Sequence, residues 1–152
     1  MYASALMAFL HHLAAFTVVG ALAIEIAVFK PPLTAAQARY LQRVDLTFGI
    51  AAGVVLLVGL LRVWYFEKGA DYYWHNVFFL MKFTAFVLAA LISIYPTVTF
   101  ISWNPSLGAG AAPEVAPPRT RRVRLCLMLE LSAIVVILGC AALMARVIGY
   151  LR

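Results

Sequence analysis

Residues 46–66 read LTFGIAAGVVLLVGLLRVWYF, a stretch with no acid and a single base, Arg62. Neither strand alternation nor an amphipathic stripe is present, so the segment is apolar on every face. At 1.5 Å per residue, ~20 such residues in an α-helix cross the ~30 Å hydrocarbon layer of a bilayer. Working outward, three more stretches have the same character: about Ser4 to Phe29, about Asn76 to Trp103 with Pro96 inside it, and about Val123 to Tyr150. Backbone amides in lipid must be satisfied within their own segment, which selects helices over open strands. The sequence therefore predicts an all-α, integral membrane four-helix bundle: a single four-span transmembrane domain over residues 1–152.

Composition agrees. Of 152 residues, 65% are apolar and 12% charged, with a mean hydropathy of +0.96. That leaves too little polar surface to cover a water-soluble globule. The net charge of +6 does not indicate nucleic acid, because the basic residues flank apolar runs and act as membrane-orientation signals. Cys126 and Cys140 fall in one span, fourteen residues and hence roughly 21 Å apart along a helix, too far to pair. No CxxC or CxxCH occurs, which argues against covalently attached haem. The N-terminal run has no basic prelude and is interrupted by His11-His12, so it reads as a retained span and not a cleaved signal.

The connections set the orientation. Residues 30–45 and 104–122, with the adjacent Arg124, carry Lys30, Arg39, Arg43, Arg119, Arg121, Arg122 and Arg124. The other side carries Lys68 and Arg152. The positive-inside rule then predicts a multi-pass protein of the bacterial inner membrane with both termini periplasmic. The Pro-, Gly- and Ala-rich stretch 104–122 reads as a flexible linker, and 67–75 as a tight aromatic loop. Gly49 and Gly53 form a GxxxG, read first as internal helix packing, with a homo-oligomer contact left open. Pro96 removes one amide from the third span and predicts a kink.

Ionisable groups at membrane depth carry the functional information. His11 lies ~10 Å and Lys82 ~9 Å inside the outer boundary, with Arg62 and Arg146 each ~6 Å deep. All four spans thus bring a cationic or titratable group to the outer half, beneath Glu67, Lys68, Asp71 and His75. Arg62 and Tyr65, three apart, read as neighbours on one helix face. Toward the inside lie Glu25 and Glu130, with Arg43, Asp45 and Arg124 at similar height. These read first as carboxylates satisfied by arginines, and otherwise as stations on a proton path.

Histidines on separate helices at equal depth are how a helical bundle holds b-type haem. His11 or His12, with His75, would be metal ligands. Arg62, Lys82 and Arg146 would pair with the propionates. Trp64 and the aromatics of residues 65–74 would wall the ring, and Tyr65 or Glu67 could relay protons. Tyr and Trp at such depth also serve as interface anchors.

At these residues the chain resembles a family of four-span bacterial membrane proteins known as a domain of unknown function. The likeness rests on residues 11–16 (HHLAAF), 59–73 (GLLRVWYFEKGADYY) and 91–97 (LISIYPT) and covers most of the chain. More distantly it is similar to the CopD and HemJ-type group, the latter being b-haem protoporphyrinogen oxidases. His11 or His12 followed by Gly20, and Lys82, match that group's pattern. Ser93 stands near where it has a histidine, and Ile24-Glu25 where it has a proline-arginine pair. The resemblance implies a shared fold and a haem b cofactor.

The leading expectation is a membrane oxidoreductase carrying b-type haem or a similar planar redox cofactor. It would transfer electrons or oxidise a porphyrinogen- or quinol-like substrate. Its partners would be the lipid bilayer and a haem or porphyrin ligand, with no nucleic acid. The rival expectations are a small ion, proton or metal transporter, with Glu25 and Glu130 as way-stations, and a non-catalytic accessory subunit.

Overall fold

The computed structural model describes residues 2–66 and 70–145. The elements, in order, are α1 (Tyr2–Val28), α2 (Ala35–Leu61), a π-helical turn (Arg62–Phe66), α3 (Ala70–Trp74), α4 (Val77–Ile101), α5 (Asn104–Gly108) and α6 (Pro117–Ala145). The fold is all-α. Among the described residues four helices (α1, α2 with its π turn, α4 and α6) are long and apolar enough to cross a membrane. α1 packs chiefly on α2 and α4 on α6, and the two hairpins join through α1–α6 and α2–α4 contacts. One end of the bundle carries the start of α1, the end of α6, the π turn and α3. We call it the terminal end. The other, the loop end, carries residues 29–34 and 102–116.

Two helices begin well before their apolar runs do. α2 starts at Ala35 because Thr34 forms a capping box: its Oγ1 accepts from the Gln37 amide at 3.2 Å, and the Gln37 side chain accepts from the Thr34 amide at 2.9 Å. The first turns of α2 bury Ala38, Leu41, Val44 and Phe48. That stripe is amphipathic, and the rest of the helix is apolar all round. α6 starts at Pro117, since proline loses nothing in a first turn, where the amides have no helical partner. Arg119, Arg121, Arg122 and Arg124 occupy the start of α6, where positive charge runs against the helix dipole. Their placement is that of a membrane-boundary signal, not of a helix-stabilising one.

Residues 104–122 are therefore not a flexible linker. α5 takes up Asn104–Gly108, and 117–122 belong to α6. Trp103 and Leu107 are buried in the core. Arg39 Nη2 donates to the Leu107 carbonyl at 2.8 Å, and Gln42 Nε2 donates to the Phe100 carbonyl at 2.7 Å and to Asn104 Oδ1 at 2.9 Å. Composition suggested flexibility. Side chains from a different helix supply the order. Gly110, at φ +76°, makes the turn that follows α5, a conformation open to glycine.

The main apolar core lies in the loop-end half. Leu22 and Phe29 of α1, Leu41 of α2, Phe100 of α4, Trp103, and Val123 and Leu127 of α6 are almost fully buried. Phe29 stacks on Trp103 at 6.5 Å between centroids, and Phe100 lies 5.0 Å from Trp103. Gly49 and Gly53 do not serve internal packing. Both are exposed, and a Cβ at either would meet nothing within 4 Å.

Candidate functional site

The terminal-end half of the bundle holds an open-sided cavity of about 610 Å³. α1 contributes His11, His12 and Ala15, and α2 contributes Val55, Gly59 and Leu60. The π turn contributes Arg62 and Val63, and α3 contributes Tyr72 and Tyr73. α4 presents Phe79, Lys82, Phe83 and Phe86, spaced so that all four share one helix face. Ile137, Leu138, Ala141 and Met144 of α6 close the remaining side.

His11 is placed by a glycine. A Cβ on Gly59 would lie 3.2 Å from His11 Cε1 and 3.5 Å from Nδ1, so the imidazole rests directly on the α2 backbone. Its Nδ1 is buried without a hydrogen-bond partner. The Val55 carbonyl, Arg62 and Lys82 are its polar neighbours across the bundle. Lys82 Nζ sits 5.7 Å from the Phe79 ring centroid, a cation–π contact. Histidine, arginine and lysine thus meet in one apolar, aromatic-walled space, and among the described lining residues none is acidic.

The other predicted residues divide. His12 also lines the cavity, but it is exposed, its Nδ1 lies 2.6 Å from the Ala8 carbonyl, and its ring meets His11 edge-on at 6.1 Å. His75 is not brought to the cavity. Its side chain is 57% exposed, and its Nδ1 lies 2.9 Å from the Asp71 carbonyl and 3.3 Å from Asp71 Oδ1. Trp64 and Tyr65 are exposed and lie outside the cavity lining, Tyr65 at 77%. The expected pairing of Arg62 with Tyr65 assumed 3.6 residues per turn. The wider π turn breaks that period, so Arg62 lines the cavity while Tyr65 faces outward. Glu67 and Arg146 lie outside the described residues.

Sequence reasoning quoted Gly59 at the head of the 59–73 block but gave it no role. It missed Phe79, Phe83 and Phe86, whose spacing with Lys82 was a legible signal.

Deeper in the loop-end half, Glu25 of α1 and Glu130 of α6 are 1% and 2% exposed. Each has a carboxyl oxygen, Oε1, without a hydrogen-bond partner. Asp45 of α2 is buried beside them and accepts from Thr97 Oγ1 of α4 at 2.8 Å. The arginines expected to satisfy these acids do not do so. Arg43 and Arg124 are exposed, and among the described residues neither makes an ion pair with the acids.

Fold and cavity together define a four-span helical membrane protein with a basic, aromatic-walled pocket near one face. A family model described as "Predicted membrane protein (DUF2214)" matches residues 3–149, and the chain belongs to that family. No curated protein and no solved structure gives a match. Nothing in these matches extends the likeness to the CopD and HemJ-type group.

Proposed function

We propose that the terminal-end cavity holds a planar redox cofactor with acidic edge groups, b-type haem foremost, and that the protein moves electrons at the membrane face. The observation that carries this reading is the meeting of the His11 imidazole with Lys82 and Arg62 around one cavity within the bundle. The cavity volume falls within the ~300–1,000 Å³ of small-molecule and cofactor sites. An imidazole donor, two cations and an aromatic wall fit a porphyrin with carboxylate edges.

When bound, haem would supply one-electron redox chemistry. The chain's own residues have separate tasks. Gly59 lets the His11 ring approach α2 and holds it in place. His11, with His12 as its neighbour, offers the nitrogen ligand. Lys82 and Arg62 attract the acid groups, and in a low-dielectric site such pairing is stronger than in water. Phe83, Phe86 and the tyrosines of α3 limit water. A porphyrinogen- or quinol-like donor suits the same apolar, basic surroundings.

Colour tests the proposal. Protein purified in detergent from haem-replete cells should show a Soret band. The band should vanish in His11→Ala and persist in His75→Ala. A colourless preparation that takes up no added hemin overturns the haem reading.

A further inference from the structure

The cavity reading leaves the loop-end carboxyl groups unused. Glu25, Asp45 and Glu130 come from three different helices, and a fourth helix contributes Thr97. Their charges act on one another: Glu25 senses both Asp45 and Glu130, and Glu130 senses Asp45. Thr97 occupies one oxygen of Asp45. The other titratable group facing the cluster is the Cys126 thiol of α6, beside Glu130. Tyr95 of α4 is half-buried against the adjoining apolar core.

Three acids gathered in an apolar bundle are not by themselves a site. The second observation is the pair of unpartnered oxygens, Glu25 Oε1 and Glu130 Oε1, on side chains that are almost wholly enclosed. An uncompensated carboxylate in such surroundings costs several kcal/mol. It has to be satisfied by a cation, a metal ion or a proton. Among the described residues no cationic side chain forms an ion pair with these acids, and Arg43 and Arg124 are exposed. Among the described residues no group of His, Cys, Asp and Glu is arranged to hold a metal ion. The remaining ligand is the proton, which needs no coordination geometry beyond a carboxyl oxygen.

We infer that Glu25, Asp45 and Glu130 form a buried site that binds protons. Intramembrane acids in pumps and transporters are used in this way. The site stands apart from the cavity and does not depend on what fills it.

Dicyclohexylcarbodiimide tests this, because it partitions into lipid and reacts with a protonated carboxyl group. The acid O–H adds across one C=N bond: oxygen bonds to the central carbon and the proton goes to nitrogen. The acyl group then migrates to nitrogen, giving a stable N-acylurea with no leaving group. The full chain in lipid nanodiscs should gain the mass of the whole reagent at Glu25 or Glu130. Labelling should fall in alkaline buffer and be lost in the double variant Glu25→Gln, Glu130→Gln. Difference infrared spectra should show a protonated-carboxyl C=O band that shifts in D2O and disappears in the same variant.

Absence of both label and band in nanodiscs, with the reagent still labelling these glutamates in the unfolded chain, overturns the proposal. Protection by sodium at constant pH also overturns it, in favour of a cation site. The infrared readout requires no cofactor, so a colourless protein bears on the cavity and not on this cluster.

Discussion

At the scale of single residues, Gly59 leaves the room that the His11 ring takes up against α2. Replacing Gly59 by Val should force the imidazole off α2. Over-packing of this kind costs ~1–3 kcal/mol, and thermal unfolding in detergent together with hemin titration should show lower stability and weaker uptake. Gly49→Ala is the matched control: its Cβ meets nothing within 4 Å, so unfolding should change by less than ~1 kcal/mol. Lys82→Met keeps the apolar stem and removes the charge. Hemin affinity should fall by roughly tenfold or more, about 1.4 kcal/mol, while Lys82→Arg should retain most of it. His11 and Lys82 were legible in the sequence because ionisable groups are rare at membrane depth. Which histidine faces inward was not legible, because adjacent positions differ by ~100° and only helix packing fixes the rotation. His75 illustrates the same limit. Its place in the connection was readable, but its local pairing with Asp71 depends on the short helix α3.

At the scale of elements, helix ends are set by hydrogen bonding, whereas apolar runs record where lipid lies. Residues 46–66 identified a span, yet α2 begins at Ala35 because Thr34 and Gln37 cap it there. α4 begins where Asn76 Oδ1 accepts from the amides of Phe78 and Phe79 at 3.0 and 3.2 Å. Asn76→Ala should cost ~0.5–2 kcal/mol through the lost cap, measured by thermal unfolding. The ordering of α5 was invisible in its own composition, because Gln42 and Arg39 reach it from α2. Gln42→Leu removes two hydrogen bonds to the 100–104 segment. Amide hydrogen exchange should rise over residues 100–108 and stay unchanged over α1, in keeping with local opening.

At the scale of the whole molecule, the two halves of the bundle differ in filling. The loop-end half is packed with Leu22, Leu41, Phe29, Phe100 and Trp103, while the terminal-end half holds the open-sided cavity. Exchange should accordingly be slower across the loop-end half. A ligand of the cavity should stabilise the protein by ~2.7 kcal/mol at a hundred times its Kd, seen as a rise in melting temperature with hemin that His11→Ala abolishes. The four-helix architecture was legible because lipid imposes long apolar segments. The division into a filled and a hollow half was not, since both halves are written in the same apolar alphabet. That division has a consequence for traffic. Whatever enters the hollow half arrives from the leaflet or aqueous phase on that side, because aromatic packing blocks approach from the other. A compound dissolved in the far leaflet must first flip across the bilayer, so loading rates should track its flip-flop and not merely its total concentration in the membrane.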